Sequence, residues 1–430
     1  MPSLIDPKKS ELSLNRNAIF VVIGLLLLFC WFGVRTMVGN MLAELTSSSA
    51  DNAIEVSEIA TSMAPNDPRP RWLSAMALKR SFVPADTDAS VKKLEEAVQR
   101  TPHDYRMWTD LGRAYEQSER YSDAEAAYRR AIDLAPEYAI PHWQMANFLL
   151  RQDRIDEAKT ELKRTTTTSS QYRNQVFGLA WDFFGKDPAV VESLVSDEPD
   201  ARVSLADFYA QRGNGRDSIR MWNSLSSEDK KKFETAGQNI ARRLYRTGMA
   251  RDALNVAREV GLAKDVSEET VNNGGFETFI GTDTENMFGW NVSRSDGKFE
   301  AMPDSQIKAE GSRSLKISFR NFVKPQLYNV TQVVTVEPGK RYRLSFKLRT
   351  DNLRSGGPPL LDIAAYNSYQ HIAATAPFAA GSSDWQDIAV DFEVPAGVEN
   401  IELRTVRVPC AEECPIAGTI WYDDFRLTRI

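Results

Sequence analysis

Three patterns of hydrophobic and polar positions follow one another along the chain. Residues 18–34 form an unbroken apolar run without a charged side chain. Up to about residue 265 the apolar positions then recur at helical spacing. From about residue 270 apolar and polar positions alternate every second residue, with Gly, Pro and Asn between the runs. This order predicts a multidomain chain with an N-terminal transmembrane helix, an all-α region and an all-β domain.

The apolar run is long enough to cross a membrane as a helix. At 1.5 Å per residue it spans roughly 25 Å, close to the hydrocarbon core of a bilayer, and we assign residues 18–38 to the transmembrane helix. A buried core helix and a cleaved signal peptide are the alternatives. The run exceeds the roughly 7–15 apolar residues of a signal peptide, and no small-residue cleavage site follows promptly. Both points favour an anchor that is retained.

Basic residues predict the orientation of this helix. Lys8, Lys9 and Arg16 precede the run, whereas Arg35 is the only basic residue that follows it closely. The cytoplasmic flank of a membrane helix carries the excess of Lys and Arg. Residues 1–17 are therefore predicted to be a cytoplasmic tail, and the rest of the chain lies on the other side of the membrane.

A 34-residue repeat runs through the helical region. Its best copy begins W-T-D-L-G-R-A-Y at Trp108. The later small, aromatic and proline positions of this copy are Ala124, Tyr128, Ala131 and Pro136. The pattern resembles the tetratricopeptide repeat, a helical hairpin in which small residues let two helices approach closely. We predict tetratricopeptide repeats over residues 45–170 and degenerate helical repeats over 171–265.

Arrays of tetratricopeptide repeats bind protein partners in a concave groove. By resemblance, seven side chains should face that groove: Arg106, Thr109, Arg113, Glu116, Trp143, Asn147 and Arg151. The arginines indicate an acidic or carboxylate-bearing partner. The alternative is that these side chains are only the solvated surface of a scaffold.

Six segments after residue 270 have clear strand character. They are S-L-K-I-S-F, N-V-T-Q-V-V-T-V, R-Y-R-L-S-F-K-L-R-T, L-D-I-A-A-Y, W-Q-D-I-A-V-D-F-E-V and T-I-W-Y-D-D-F-R-L. Short strands around Phe276 and near Trp290 bring the expected number to eight or nine. This number suits a two-sheet jelly-roll sandwich over residues 271–430.

Both ends of this domain resemble a known module. N-N-G-G-F-E (272–277), followed by G-W, opens the domain, and W-Y-D-D-F-R-L (421–427) closes it. This frame is similar to the jelly-roll carbohydrate-binding modules appended to bacterial glycoside hydrolases. The resemblance implies a structural calcium held by Glu277 and Asp424, with Asp423 as a weaker second choice. The alternative is that these carboxylates pair with nearby Lys or Arg.

Sugar binding needs aromatic platforms next to polar side chains. The candidates for this role are Trp290, Tyr328, Tyr366, Tyr369 and His371. Trp385 and Trp421 fit core positions of the family better. Each candidate also has a structural alternative, in which its ring belongs to the core of the sandwich.

Composition narrows the chemistry further. A net charge of −6 and a pI near 5.5 argue against nucleic acid, which needs a basic face. The sequence has three histidines and no Gly-rich phosphate loop, G-x-S-x-G elbow or H-E-x-x-H helix, so we expect no enzymatic activity. Cys30 lies in the apolar run. Cys410 and Cys414, four residues apart, predict a short-loop disulfide in an oxidising compartment.

Together these parts predict a scaffold anchored in a bacterial inner membrane, with its N-terminus in the cytoplasm and its bulk in the periplasm. The helical array would bind protein partners and the sandwich would bind a glycan, in extracellular polysaccharide synthesis or export. The alternative is a protein-assembly factor whose sandwich is a structural spacer. A glycosidase would need two carboxylates about 5–10 Å apart in a cleft, and the sequence nominates no such pair.

Overall fold

The computed structural model of the 430-residue chain describes residues 16–80, 83–278, 280–281, 286–292, 298–323, 327, 330–368 and 370–430. Two of the predicted glycan contacts, Tyr328 and Tyr369, lie outside the described residues. The chain divides into two compact units, with the break between Ser196 and Asp197. The second unit therefore contains helices as well as the β-sandwich.

Helix α1 (Arg16–Leu45) contains the apolar run. Within it, the most apolar 18-residue stretch of Ile19–Leu45 has a mean hydropathy of 2.3. No side chain of that stretch is buried. Over the described part of the chain, this is the one helix that is long and apolar enough to cross a membrane.

The other helices of the first unit are α2 (Ala53–Met63), α3 (Arg69–Leu78), α4 (Pro84–Arg100), α5 (Tyr105–Gln117), α6 (Tyr121–Leu134), α7 (Ala139–Arg151), α8 (Ile155–Thr168), a 3₁₀ turn (Ser170–Tyr172), α9 (Arg173–Phe183) and α10 (Pro188–Ser193). Helices α5 and α6 form the best repeat. A Cβ on Gly112 would lie 2.7 Å from the Tyr128 ring, and Ala124 and Ala131 are fully buried. The small residues of the repeat signature therefore set the distance between the two helices.

The second unit begins with α11 (Pro199–Gln211), α12 (Gly215–Asn223), α13 (Ser227–Lys232), α14 (Glu234–Arg246) and α15 (Ala250–Glu259). Two hydrogen bonds join the end of this helical segment to the sandwich. Arg251 donates to the carbonyl oxygen of Val336 at 2.7 Å, and the Glu269 amide donates to that of Thr335 at 2.9 Å. The helices assigned from the sequence to residues 171–265 are thus divided between the two units.

The sandwich consists of β1 (Asn291–Val292), β2 (Phe299–Asp304), β3 (Ser314–Phe322), β4 (Val330–Thr335), β5 (Arg341–Ser355), β6 (Pro359–Ala365), β7 (His371–Ala374), β8 (Gly381–Glu393), β9 (Asn400–Arg407) and β10 (Ile416–Arg429). Sheet A has the order β1-β4-β9-β6-β7, and sheet B has the order β2-β3-β10-β5-β8. Every pairing between these strands is antiparallel.

The two-sheet fold expected from the alternation is confirmed, with differences in the strands. Strands β2, β7 and β9 are additions to those the pattern predicted. The strand expected around Phe276 is wrong, because this residue lies in a turn with a positive φ of 58°. Its side chain is nevertheless fully buried, which explains why its surroundings looked like a strand.

The opening and closing motifs of the sandwich meet in its core. The Phe346 and Phe425 rings stack with centroids 4.6 Å apart, and Trp290 lies 4.8 Å from Phe425. The Phe425 amide donates to the carbonyl oxygen of Gly274 at 3.0 Å, and a Cβ on Gly274 would collide with the Phe425 carbonyl oxygen. The glycine of the opening motif is therefore required by the close approach of the last strand.

Candidate functional site

The first two groove arginines have carboxylate partners within the array. Arg106 contacts both carboxylate oxygens of Asp104, at 2.9 and 2.8 Å, and this contact lowers the pKa of Asp104. Arg113 lies 3.6 Å from Asp110. A paired arginine attracts an acidic partner less than a free one does. The ion pairs therefore weaken the argument for an acidic ligand.

A third arginine joins two neighbouring repeats. Arg151 donates to the carboxylate of Glu116 at 2.9 Å, and this carboxylate also accepts from the Tyr128 hydroxyl at 3.1 Å. On α7, the Asn147 amide donates to the carbonyl oxygen of Trp143 at 2.7 Å. Arg151 and Glu116 thus hold adjacent repeats together, in addition to any contact they make with a partner.

The prediction that Thr109 faces the groove is wrong. Its side chain is only 4% exposed, and its hydroxyl donates to the carbonyl oxygen of Tyr105 one turn earlier, at 2.8 Å. A cleft of about 740 Å³ lies beside Arg106, and Trp72 and Asp110 also line it. The Trp72 indole donates to the Asp110 carboxylate at 2.7 Å. The end of α1 also contributes to this cleft, through Ala43 and Glu44, so a partner groove at Arg106 stays a prediction.

The structure places Cys410 and Cys414 in a disulfide, with Cα atoms 5.9 Å apart. Their loop lies between β9 and β10. Arg407, buried at the end of β9, donates to the carbonyl oxygens of Cys414 and Gly357 at 2.6 and 3.0 Å. The disulfide loop is therefore tied to the end of the sandwich.

Trp290 cannot be a sugar platform, and this prediction is corrected. Its side chain has no exposed surface, and its ring lies between Phe276 at 5.2 Å and Phe425 at 4.8 Å. The indole nitrogen donates to the carbonyl oxygen of Asn273 at 3.1 Å. A platform needs a free ring face, and Trp290 has both faces in the core.

Tyr366 is half-buried against helix α14. Its hydroxyl donates to the backbone carbonyl oxygen of Tyr245 at 3.2 Å, and the two rings lie 5.5 Å apart. Helix α14 thus already covers part of the ring that the sequence suggested as a sugar platform. Its accessible part faces a cavity that Asn400 and Glu399 also line.

His371 is exposed and held by a buried ion pair. Asp362 places one carboxylate oxygen 2.6 Å from Nδ1 of His371, and its other oxygen accepts from Arg404 at 2.7 Å. The side chains of Asp362 and Arg404 are only 7% and 8% exposed, whereas that of His371 is 63% exposed. The buried pair therefore fixes the histidine ring and leaves its outer edge free to meet a ligand.

These side chains belong to one polar row on the outer face of sheet A. Alternate residues of a strand share a face, and the residues between them, such as Ile363, Ile401 and Leu403, lie in the core. The register pairs Asp362 with Arg404. The members of the polar row are Asp362, His371, Asn400, Glu402 and Arg404. Four of these five were missed from sequence, although N-I-E-L-R at 400–404 shows the alternation.

Glu402 is the second acidic group of the polar row. Its side chain is 15% exposed and lies 3.6 Å from Arg404. Burial raises the pKa of Glu402, and the nearby Asp362 acts in the same direction. A carboxylate in this setting is a good acceptor for a donated hydroxyl hydrogen.

Asp424 does not fit the predicted calcium site. Its carboxylate accepts from the Arg426 guanidinium at 2.7 Å. The residue has a positive φ of 53°, at a register shift between Asp423 and Arg426 in strand β10. Glu277, the other expected ligand, accepts hydrogen bonds from the hydroxyl and the amide of Ser312, which lower the pKa of Glu277. Asp424 is therefore in the alternative arrangement, an ion pair with a basic side chain.

Asp423 fits the carboxylate part of such a site better. It is fully buried, and it accepts from the amides of Ala309 and Glu310 at 2.8 and 3.1 Å. A Cβ on Gly275 would lie 3.8 Å from an oxygen of Asp423 and 3.8 Å from an oxygen of Glu277. Among the described residues, no three His, Cys, Asp or Glu side chains gather in a way that could hold a metal ion. Calcium binding stays a prediction, and Asp423 replaces Asp424 in it.

Family models match both folded parts of the chain. Residues 268–409 match a model described as a carbohydrate binding domain. The sandwich is a carbohydrate-binding domain. Residues 85–139 and 117–171 match two models of the tetratricopeptide repeat, so the repeats expected from the Trp108 motif are confirmed.

Solved structures resemble the carbohydrate-binding domain. One titled "CBM4 structure and function" is 19% identical with a TM-score of 0.28, over 37% of this chain and 99% of that chain. The CBM22-1 xylan-binding domain of Xyn10C from Paenibacillus barcinonensis is 13% identical with a TM-score of 0.24, over 36% and 92%. The CBM22-1–GH10 modules of xylanase 10B from Clostridium thermocellum, complexed with xylohexaose, are 14% identical with a TM-score of 0.26, over 37% and 28%. No curated protein matches the chain.

Proposed function

We propose that this chain is a membrane-anchored scaffold of the cell envelope that binds a protein partner with its repeats and a glycan with its carbohydrate-binding domain. The observation that carries the proposal is the presence of both domain types behind one apolar helix. Both are non-catalytic kinds of domain, which supports a binding role. Holding a protein and a glycan at one membrane suits extracellular polysaccharide synthesis or export.

The proposed location is a bacterial inner membrane, with the N-terminus in the cytoplasm and the bulk of the chain in the periplasm. Lys8 and Lys9 precede the apolar helix, which supports this orientation. The disulfide between Cys410 and Cys414 supports an oxidising compartment for the carbohydrate-binding domain.

The polar row is the proposed glycan contact. His371 offers a ring nitrogen that is oriented by Asp362, and Glu402 offers a carboxylate beside it on the same face. Sugar hydroxyl groups are both donors and acceptors, so a row of fixed charged and amide groups can bind several of them at once. Trp290 is excluded from this contact by its burial.

Binding of polysaccharides to the full-length protein in detergent micelles tests this proposal. A panel of β-glucans, xylan, chitosan and polygalacturonate should give at least one polymer that binds. His371→Ala and Glu402→Gln should each weaken that binding at least tenfold. Asp387→Ala changes an 88% exposed side chain on sheet B and serves as the control. If the wild type and the three variants bind the polymer equally well, the glycan does not bind at the polar row.

One observation favours a second function, a protein-assembly factor whose sandwich is structural. Of the aromatic candidates within the described residues, Trp290 is buried and Tyr366 packs on Tyr245. Such a protein would bind none of the polymers. Its array would still form a defined complex, which photo-crosslinking from Arg106 in cells would detect as one membrane-protein adduct.

A further inference from the structure

A cavity of about 290 Å³ lies at one end of the polar row. Helix α15 and the turn before it contribute Asp252 and Met249 to its wall, and the sandwich contributes Tyr366, Glu399 and Asn400. All of these residues belong to the second compact unit. We call this space the end cavity.

The end cavity continues the polar row. Asn400 is the first residue of β9, and it shares its outward direction with Glu402 two residues later and with Arg404. Tyr366 stands in the same relation to Ala364 on the neighbouring strand β6. A chain that lies along β9 on this face therefore reaches the end cavity as it passes Asn400.

Helices α14 and α15 close the row beyond the end cavity. The Tyr245 carbonyl oxygen accepts from Tyr366, and Arg251 donates to the carbonyl oxygen of Val336. These bonds bring the helices against the sandwich at the same end as Asn400. A linear ligand that lies along the row therefore meets these helices at this end.

The end cavity is rich in acceptors. Burial and the nearby Glu399 raise the pKa of Asp252. Asn400 is only 8% exposed, and its Oδ1 is shielded from solvent without a hydrogen-bond partner. Within the described residues, neither Asp252 nor Glu399 has an ion-pair partner. Glu399 is exposed and Asp252 is half-buried, so the cost of an unsatisfied buried acceptor falls on Asn400 alone. A ligand donor that reaches the Asn400 amide oxygen would remove this cost.

We propose that the end cavity receives the terminal sugar of the bound glycan, which donates hydroxyl or amino hydrogens to Asp252, Glu399 and Asn400. The proposal rests on the function proposed above and adds that this domain binds a chain end. A volume of 290 Å³ is near the lower end of small-molecule sites, about 300–1,000 Å³. A bare metal ion needs several oxygen ligands at about 2.6 Å or less, and among the described residues no three His, Cys, Asp or Glu side chains gather in this way.

The charges of the end cavity select the class of sugar. Two carboxylates face the space, so a terminal uronate would add a third negative charge to them. A neutral sugar avoids this repulsion, and an amino sugar gains an attraction. We therefore assign to the end cavity a terminal neutral hexose or hexosamine.

Labelled oligosaccharides test the proposal on the full-length protein in detergent micelles. The probes are hexamers of β-1,4-linked glucose, β-1,4-linked glucosamine and α-1,4-linked galacturonate, each with a bulky fluorophore at the reducing or the non-reducing end. A glucose or glucosamine hexamer should bind at least tenfold tighter than the galacturonate hexamer. A fluorophore at one of its two ends should abolish that binding, because the label cannot enter the end cavity.

Two variants separate this inference from the function on which it rests. Asp252→Ala and the milder Asp252→Asn should each weaken binding of the preferred hexamer at least tenfold, whereas Asp387→Ala should not; thermal unfolding confirms that each variant folds. The chain-end inference is overturned if the hexamer binds with a label at either end and binds equally well to both Asp252 variants. In that case, weaker binding by His371→Ala would still support the proposed function. Failure of the wild-type protein to bind any hexamer or polymer overturns both.

Discussion

The Tyr366 hydroxyl donates a hydrogen bond to the backbone carbonyl oxygen of Tyr245, and the two rings lie 5.5 Å apart. Tyr245 also meets Phe288 edge to face, with centroids 5.2 Å apart. This aromatic cluster joins the last helices to the carbohydrate-binding domain inside one compact unit. The helices after Asp197 therefore form part of the same folded body as the domain that follows them.

We expect Tyr245→Ala to lower the free energy of unfolding of this unit by about 3–5 kcal/mol, because the change removes a 5% exposed aromatic ring from the cluster. Tyr366→Phe removes only a hydroxyl and should cost about 1 kcal/mol. Urea denaturation of the full-length protein measures both. Tyr121→Ala, at a 43% exposed ring, should stay within about 0.5 kcal/mol of wild type. Equal losses for Tyr245→Ala and Tyr366→Phe would show that the hydrogen bond, not packing, holds the cluster.

Trp290→Ala should destabilise the carbohydrate-binding domain by about 3–5 kcal/mol, because it empties a fully buried site between Phe276 and Phe425. If this variant also loses sugar binding, the cause is unfolding of the domain and not the loss of a sugar contact. Trp385→Ala is the matched control, since this ring is only half-buried on edge strand β8. Denaturant unfolding monitored by far-UV circular dichroism measures the difference. A folded, stable Trp290→Ala protein would contradict the core assignment.

His142 should make the stability of the array depend on pH. Its ring is 1% exposed, with Nδ1 2.5 Å from the Glu161 carboxylate and Nε2 2.8 Å from the carbonyl oxygen of Pro136. Burial opposes the charged ring, but these two acceptors outweigh it and raise the pKa of His142. The native state then binds the proton more tightly than the unfolded chain. The resulting stability is complete below about pH 6.5 and is lost as the pH rises through the folded-state pKa.

Urea denaturation between pH 5.5 and 8.5 measures this dependence. The free energy of unfolding should fall with rising pH more steeply in the wild type than in His142→Gln, which has no titrating ring. Parallel curves for the two proteins would mean that His142 carries no linked proton. His103→Gln is the control, because this residue is exposed in the turn before α5.

Calcium, if the resemblance to calcium-holding modules extends to this chain, should act through Asp423. Added calcium is then expected to raise the midpoint of thermal unfolding, by an amount that grows with its concentration. Asp423→Asn should abolish the increase. Asp424→Asn should keep it, since that carboxylate pairs with Arg426. If neither calcium nor a chelator changes the midpoint of thermal unfolding of the wild type, the domain has no calcium site.

Local features of the sequence were sufficient for the architecture and for part of the sites. The spacing after Trp108 identified the repeats, because a helical hairpin needs small residues at fixed intervals, as at Gly112 against Tyr128. His371 was one of the residues predicted to bind sugar, and the structure places it on the outer face of sheet A. Its partners Asp362 and Arg404 were missed, since they are 42 residues apart and only strand pairing brings them together.

The sequence by itself determined the order of apolar helix, repeats and sandwich. Strands and helices repeat their apolar positions every two and every 3.6 residues, and these periods can be read from residues that are close together in the chain. Only the tertiary structure decided which face of each element is covered. Trp290 became core because the last strand packs on the opening motif. Asp423 shares its surroundings with Glu277, whereas Asp424 pairs with Arg426 at a register shift where left-handed backbone interrupts the alternation of β10. A pattern along the chain defines two faces of a strand, and packing between distant segments decides which one meets solvent.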